Sequence, residues 1–251
     1  MIFAEFQTRT IFPTHAVAHP GPLPPGSKRL KIAGADGHAL HGVHVPPIDE
    51  SGKKRTLIVG FGGNAWNGED VASYLHEIYP QADIVTFHYR GYAPSCGRPS
   101  ADALVADAPL VLDAALKQVP ADRVVAVGFS IGSGVAASLA ARSNLHGMIL
   151  VTPFDSLKAV AQSLYAWVPI GPFFEHDLDA AGFLHGSPIP VAMVAAEHDE
   201  IIPSERTEAL RERVSNLVFD RTIARSGHND IYQRSDFHAA MREALRQVSR
   251  K

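Results

Sequence analysis

From Thr56 onward the chain repeats one pattern: a short, unbroken apolar run, then an amphipathic stretch. The runs are TLIVG (56–60), IVTFHY (84–89), VVAVG (124–128), MILV (148–151), VAMVAA (191–196) and LVFDRTI (217–223). Between them the spacing predicts helices near Glu69–Tyr79, Ala101–Val119, Ile131–Arg142, Ser156–Trp167 and Ser204–Val214, and a last one over Ser235–Val248. A strand that is apolar on both faces must be covered on both faces, and strands separated by helices run parallel. The fold expected is therefore α/β: a parallel sheet with helices on both sides and right-handed crossovers. Upstream, Arg29–Ala33 and Ala39–Val45 flank Ala35-Asp36-Gly37-His38. Asp-Gly between two β-like runs predicts an N-terminal hairpin. HPGPLPPG (19–26) reads as an extended connector.

Bulk properties narrow the function. A net charge of −3 gives no electrostatic footprint for nucleic acid. The one basic cluster, Lys53-Lys54-Arg55, reads as a solvated turn. A single cysteine, Cys96, excludes a disulfide framework and a cysteine-rich metal site. The 13 histidines include no HExxH, and His41 and His44, three apart on an expected strand, point to opposite faces. No apolar stretch approaches the roughly 20 residues of a membrane span. In MIFAEFQTRTIF, Glu5, Gln7, Thr8 and Arg9 interrupt any signal-peptide core, so the expected location is cytoplasmic, without a stable membrane anchor.

The chemistry is carried by GFSIG (128–132). In a chain with 20 glycines the pentapeptide alone says little. Its setting says more: it follows the strand VVAVG and opens the helical GSGVAASLAAR, the strand–turn–helix context of a nucleophile elbow. The strained serine needs neighbours without side chains, which Gly128 and Gly132 provide. Gly134 is expected to let the helix pack closely on the sheet. SGHND (226–230) follows the last strand, and Asp199 lies in AAEHDEIIP after the strand VAMV. Ser130, Asp199 and His228 thus fall at one sheet edge in the order of that architecture. Glu197, Glu200 and Asp230 stand as alternative acids, Asp230 being better read as an N-cap. The oxyanion donors expected are the N–H groups of Ile131 and Gly63, with Gly62 and Asn64 as alternatives to Gly63.

The motifs IFP (11–13), DGHALHG (36–42), GGNA (62–65), YRGYAPSCGRPS (89–100), VGFSIGSGVA (127–136), ILVTPFDSL (149–157), EHDEIIP (197–203) and SGHND resemble those of the α/β-hydrolase family. The resemblance runs from about Ile11 to near the C-terminus and is nearest the small single-domain branch that includes protein depalmitoylases and many bacterial members. It implies one domain over residues 1–251, an eight-stranded, mostly parallel sheet, a Ser130–His228–Asp199 triad and hydrolysis of an ester, thioester or amide. Phe61-Gly62 replaces the family's usual His-Gly, so a side-chain hydrogen bond that orders the oxyanion loop is lost. Such chemistry needs no metal or organic cofactor, and the expected partner is a small-molecule or acyl substrate.

Residues 153–188 are longer than a normal crossover and carry Phe154, Tyr165, Trp167, Phe173, Phe174 and Phe183. A long aromatic insertion at the carboxyl end of a strand is expected to form a small lid. Two rival readings differ in class. Gly60-Phe61-Gly62-Gly63-Asn64-Ala65 matches a dinucleotide fingerprint, but the next strand ends His88-Tyr89-Arg90, with no acid for a ribose, and Asp83 lies at its wrong end. The other rival is a non-catalytic binding module on the same fold.

Overall fold

The structure, a computed structural model, describes residues 2–49, 54–142, 144–165 and 174–250, with side chains from Glu5 onward. Eight strands form one sheet: β1 (Lys28–Ala33), β2 (Ala39–Val45), β3 (Thr56–Phe61), β4 (Asp83–Phe87), β5 (Arg123–Phe129), β6 (Gly147–Val151), β7 (Val191–Ala196) and β8 (Leu217–Ile223). Their order is β1-β2-β4-β3-β5-β6-β7-β8. The pairs β1–β2 and β2–β4 are antiparallel, and every later pair is parallel. The apolar runs thus became strands, and the Asp-Gly turn closes the hairpin.

Alternate residues of each central strand feed two cores. Leu57, Val59, Val124 and Ala126 face one layer with α3 (Ala101–Gln118), α4 (Ile131–Ala137), α6 (Ala180–Leu184) and α7 (Ser204–Arg211). Ile58, Val125, Val127 and Ile149 face the other, with α2 (Gly68–Ile78) and α8 (Ser235–Val248). The period of two along a strand divides the apolar run between both faces. Helix starts are capped locally: Asn67 accepts the Asp70 N–H, Ser100 that of Ala103, and Ser156 that of Ala159 at the head of α5 (Leu157–Leu164).

Several local expectations change in the folded chain. Two helices have no counterpart in the spacing: α6, and α1 (Ile2–Ile11), where a buried Gln7 and an exposed Phe6 reverse the usual amphipathic order. Tertiary contacts hold α1. Thr8 Oγ1 and His176 Nε2 share a 2.7 Å hydrogen bond, and Phe12 meets the His176 ring edge-on at 5.3 Å. Helix α4 is shorter than expected, ending at Ala137. Gly134 faces the insertion rather than the sheet: a Cβ there would meet Leu178 and Phe154. The basic cluster is more than a solvated turn. Arg55 donates to both oxygens of fully buried Asp83, at 2.7 and 3.0 Å, and His44 Nε2 binds the same carboxylate at 2.7 Å. Lys53 lies outside the described residues, as do Trp167, Phe173 and the Val168–Pro172 stretch of the insertion. Phe154 belongs to the core and is fully buried, whereas Tyr165 is exposed. Among the described residues no helix is long and apolar enough to cross a membrane.

Candidate active site

Three loops at the carboxyl edge of the sheet converge. Ser130 follows β5 directly, Asp199 follows β7, and His228 follows β8. Ser130 sits at φ 51° and ψ −119°, conformational space that a side-chain-bearing residue occupies only under constraint. The constraint is visible. A Cβ on Gly128 would lie 2.2 Å from the Gly132 carbonyl oxygen, and one on Gly132 the same distance from that of Phe61. Only glycine at both positions lets β5, the turn at Ser130 and the loop after β3 approach so closely. The Ser130 N–H donates to the Val151 carbonyl at 2.9 Å, which ties the elbow to β6. Thr152 (φ 44°) and Arg225 (φ 54°) are the other described non-glycine residues with positive φ, and both flank this edge.

Ser130 Oγ and His228 Nε2 are 3.0 Å apart. On the far side of the ring, His228 Nδ1 lies 2.9 and 2.8 Å from the two oxygens of Asp199. Asp199 Oδ1 also accepts the N–H groups of Ile201 and Ile202, at 3.0 and 2.7 Å. Both the imidazole and the carboxylate are almost wholly buried, so water competes little for either. A carboxylate on Nδ1 leaves Nε2 free to accept a proton from a hydroxyl.

The alternative acids have other tasks. Glu197 accepts the Arg225 N–H at 2.7 Å, Asp230 that of Gly227 at 2.8 Å, and Glu200 that of His228 at 2.9 Å. Three carboxylates thus hold the backbone of the loop whose imidazole the fourth binds. Asp230 is the N-cap residue of the following helical turn (Ile231–Gln233), as expected, but its side chain makes no cap hydrogen bond there. Of the two residues expected as oxyanion donors, Ile131 opens α4, and a Cβ on Gly63 would lie 3.8 Å from that of Ser130. Gly62 is pressed against Val71, 2.8 Å from where its Cβ would be.

Sequence reasoning missed the aromatic support beneath the elbow. Trp66 and Tyr232 pack on Phe129 with ring centroids 5.3 and 5.9 Å away. The Tyr232 carbonyl accepts from Tyr74 Oη at 2.6 Å and from His238 Nε2 at 2.9 Å. Burial pushes the Tyr232 hydroxyl up to about 12, a hydrogen bond with Thr152 opposing and the nearby Asp199 charge adding to the rise. Trp66 lies in the loop after β3, Tyr74 in α2, Phe129 in β5, Tyr232 in the turn before α8 and His238 in α8, and nothing in their local spacing marks them. Among the described residues no three His, Cys, Asp or Glu side chains are grouped to hold a metal ion.

The model of the alpha/beta hydrolase fold matches residues 57–181, from β3 through the elbow into the insertion. The chain belongs to the α/β-hydrolase family. This family match contains Ser130 but stops short of Asp199 and His228. An uncharacterised protein of Mycobacterium tuberculosis is 28% identical over 221 residues, covering 84% of this chain and 77% of its own. An alpha-beta hydrolase from Vibrio vulnificus superposes with a TM-score of 0.74 at 17% identity, over 99% of this chain and 93% of that one. The Pyrococcus furiosus esterase Pf2001 does so with a TM-score of 0.67 at 17% identity, over 92% and 97%. At such identities the α/β-hydrolase superpositions speak for the fold.

Proposed function

We propose that this α/β hydrolase is a serine hydrolase that cleaves an ester or thioester through an acyl-enzyme. The observation that carries the reading is the unbroken line from Ser130 Oγ through the His228 ring to both oxygens of Asp199. In the reaction, Ser130 Oγ attacks the acyl carbon while His228 Nε2 takes its proton. Asp199 keeps Nδ1 protonated and stabilises the imidazolium. The backbone N–H groups of Gly63 and Ile131 receive the negative oxygen of the tetrahedral intermediate, each contributing about 3–4 kcal/mol in the transition state. The leaving alcohol or thiol departs with the proton from His228. A water then attacks the acyl-serine and gives its proton to His228, which passes it to Ser130 Oγ as the acyl–oxygen bond breaks and the acid is released.

The whole chain acts as one domain in this reading, with residues 153–188 as its lid. The exposed Leu164 and Tyr165, at the end of α5, supply apolar surface for an acyl chain. A p-nitrophenyl ester series from acetate to palmitate, run on the wild type and on a variant trimmed in this segment, tests the lid; an unchanged chain-length preference dismisses it. The serine mechanism is tested by fluorophosphonate labelling. Labelling of the wild type that disappears in Ser130→Ala is the expected result. A wild type that neither labels nor turns over esters at neutral pH is a binding module instead.

A further inference from the structure

The oxyanion loop lacks the ordering side chain its family usually carries, because Phe61 stands in that place and packs into the core. Two tyrosines from the loop after β4 reach the oxyanion loop instead. Tyr89 Oη donates to the Gly62 carbonyl at 2.8 Å, and Tyr92 Oη donates to the Asn64 carbonyl at 2.6 Å. Their rings meet edge to face, centroids 5.7 Å apart and planes at 80°. A short turn joins them, the Tyr92 N–H donating to the Tyr89 carbonyl at 2.9 Å. Gly91, between them, has φ 79°, and a Cβ there would strike the Pro99 ring.

The Gly62 carbonyl and the Gly63 N–H belong to one peptide unit. A trans peptide is planar, so these two groups point in opposite directions. Whatever holds the carbonyl therefore aims the N–H. We propose that Tyr89 is a positioning residue for the reaction: by fixing the Gly62 carbonyl, it fixes the direction of the Gly63 N–H toward the forming oxyanion, while Tyr92 anchors the loop at Asn64. The proposal rests on the serine-hydrolase reading. Burial raises both phenol pKa values, which keeps the hydroxyls neutral donors over the working range.

Tyr89→Phe removes one hydroxyl and keeps the ring. Deleting an oxyanion donor costs about 10²–10³ in kcat, so loosening one is expected to cost about 10-fold in kcat/KM for p-nitrophenyl acetate. The loss should fall in kcat, with KM within about twofold. Inhibition by an alkyl trifluoromethyl ketone, which forms a tetrahedral oxyanion on Ser130, should weaken by the same factor. A role in stability alone would lower Tm without that parallel. An active wild type, with kcat/KM and ketone inhibition both unchanged in the folded variant, overturns the positioning role. So does a loss confined to KM, since Tyr89 would then touch substrate. A wild type without esterase activity or fluorophosphonate labelling overturns the hydrolase reading itself. If Tyr89→Phe does not fold, Tyr92→Phe is measured the same way: a smaller loss with the same parallel supports the proposal, and none overturns it.

Discussion

Gly132→Ala is the sharpest perturbation of the elbow. The new Cβ would lie 2.2 Å from the Phe61 carbonyl oxygen, 2.5 Å from that of Gly62 and 2.7 Å from the Phe61 carbonyl carbon. All three are backbone atoms, so no rotamer change relieves the contact. Carbon–oxygen contacts ordinarily begin at about 3.3 Å, so the turn at Ser130 and the loop after β3 must separate by about 1 Å. Overpacking of this kind costs about 1–3 kcal/mol. At about 2–4 °C per kcal/mol for a chain of this size, Tm should fall by about 2–12 °C. With Ser130 as the proposed nucleophile and Gly63 and Ile131 as the proposed oxyanion donors, a displacement of about 1 Å between them should lower kcat about 10²-fold. Gly134→Ala, two residues along the same helix, is the control. Its Cβ would meet the Leu178 side chain at 3.0 Å, and the gain in helix propensity of up to about 1 kcal/mol offsets that crowding. Thermal melting and p-nitrophenyl acetate hydrolysis on both variants decide the matter. Gly132→Ala within threefold of wild type and equally stable would refute the close approach of loop and elbow on which the site geometry depends.

Two further predictions use other parts of the molecule. Asp199→Asn should leave the melting curve intact yet reduce kcat by about 10⁴, because the amide can stabilise the wrong imidazole tautomer; near wild-type turnover would transfer the role to another acid, Glu200 first. Burial opposes ionisation of Asp83, but the hydrogen bonds from His44 and Arg55 outweigh it and hold the carboxyl below its ordinary value. A depressed carboxylate stabilises the fold above its unfolded pKa of about 3.9 and stops doing so as pH falls through the lower folded value. The Tm difference between wild type and Asp83→Asn should therefore be widest above about pH 5 and close as the pH drops below about 4. A gap constant through the acid range would mean that Asp83 contributes by shape rather than by charge.

The strands were legible because a two-sided apolar run can be buried only inside a covered sheet. The elbow was legible because two glycines around a serine matter most where a strand ends. The roles of the neighbouring carboxylates were not. Glu197, Asp199, Glu200 and Asp230 look alike in the chain, and only their final distances from the 225–228 loop separate the one on the ring from the three on the backbone. Helix α1 was illegible for a related reason. Its helicity is supported by contacts to Glu175 and His176, more than 160 residues away, and not by its own pattern.

By itself, then, the order of residues determined the architecture and the positions along the chain where chemistry could sit, since periodicity and turn chemistry act over a few neighbours. Tertiary structure alone decided which carboxylate meets the histidine, which face Gly134 presents, and that Tyr89 and Tyr92 bond the loop after β3. Those outcomes depend on distances between segments remote in sequence, and packing sets such distances to within a few tenths of an ångström.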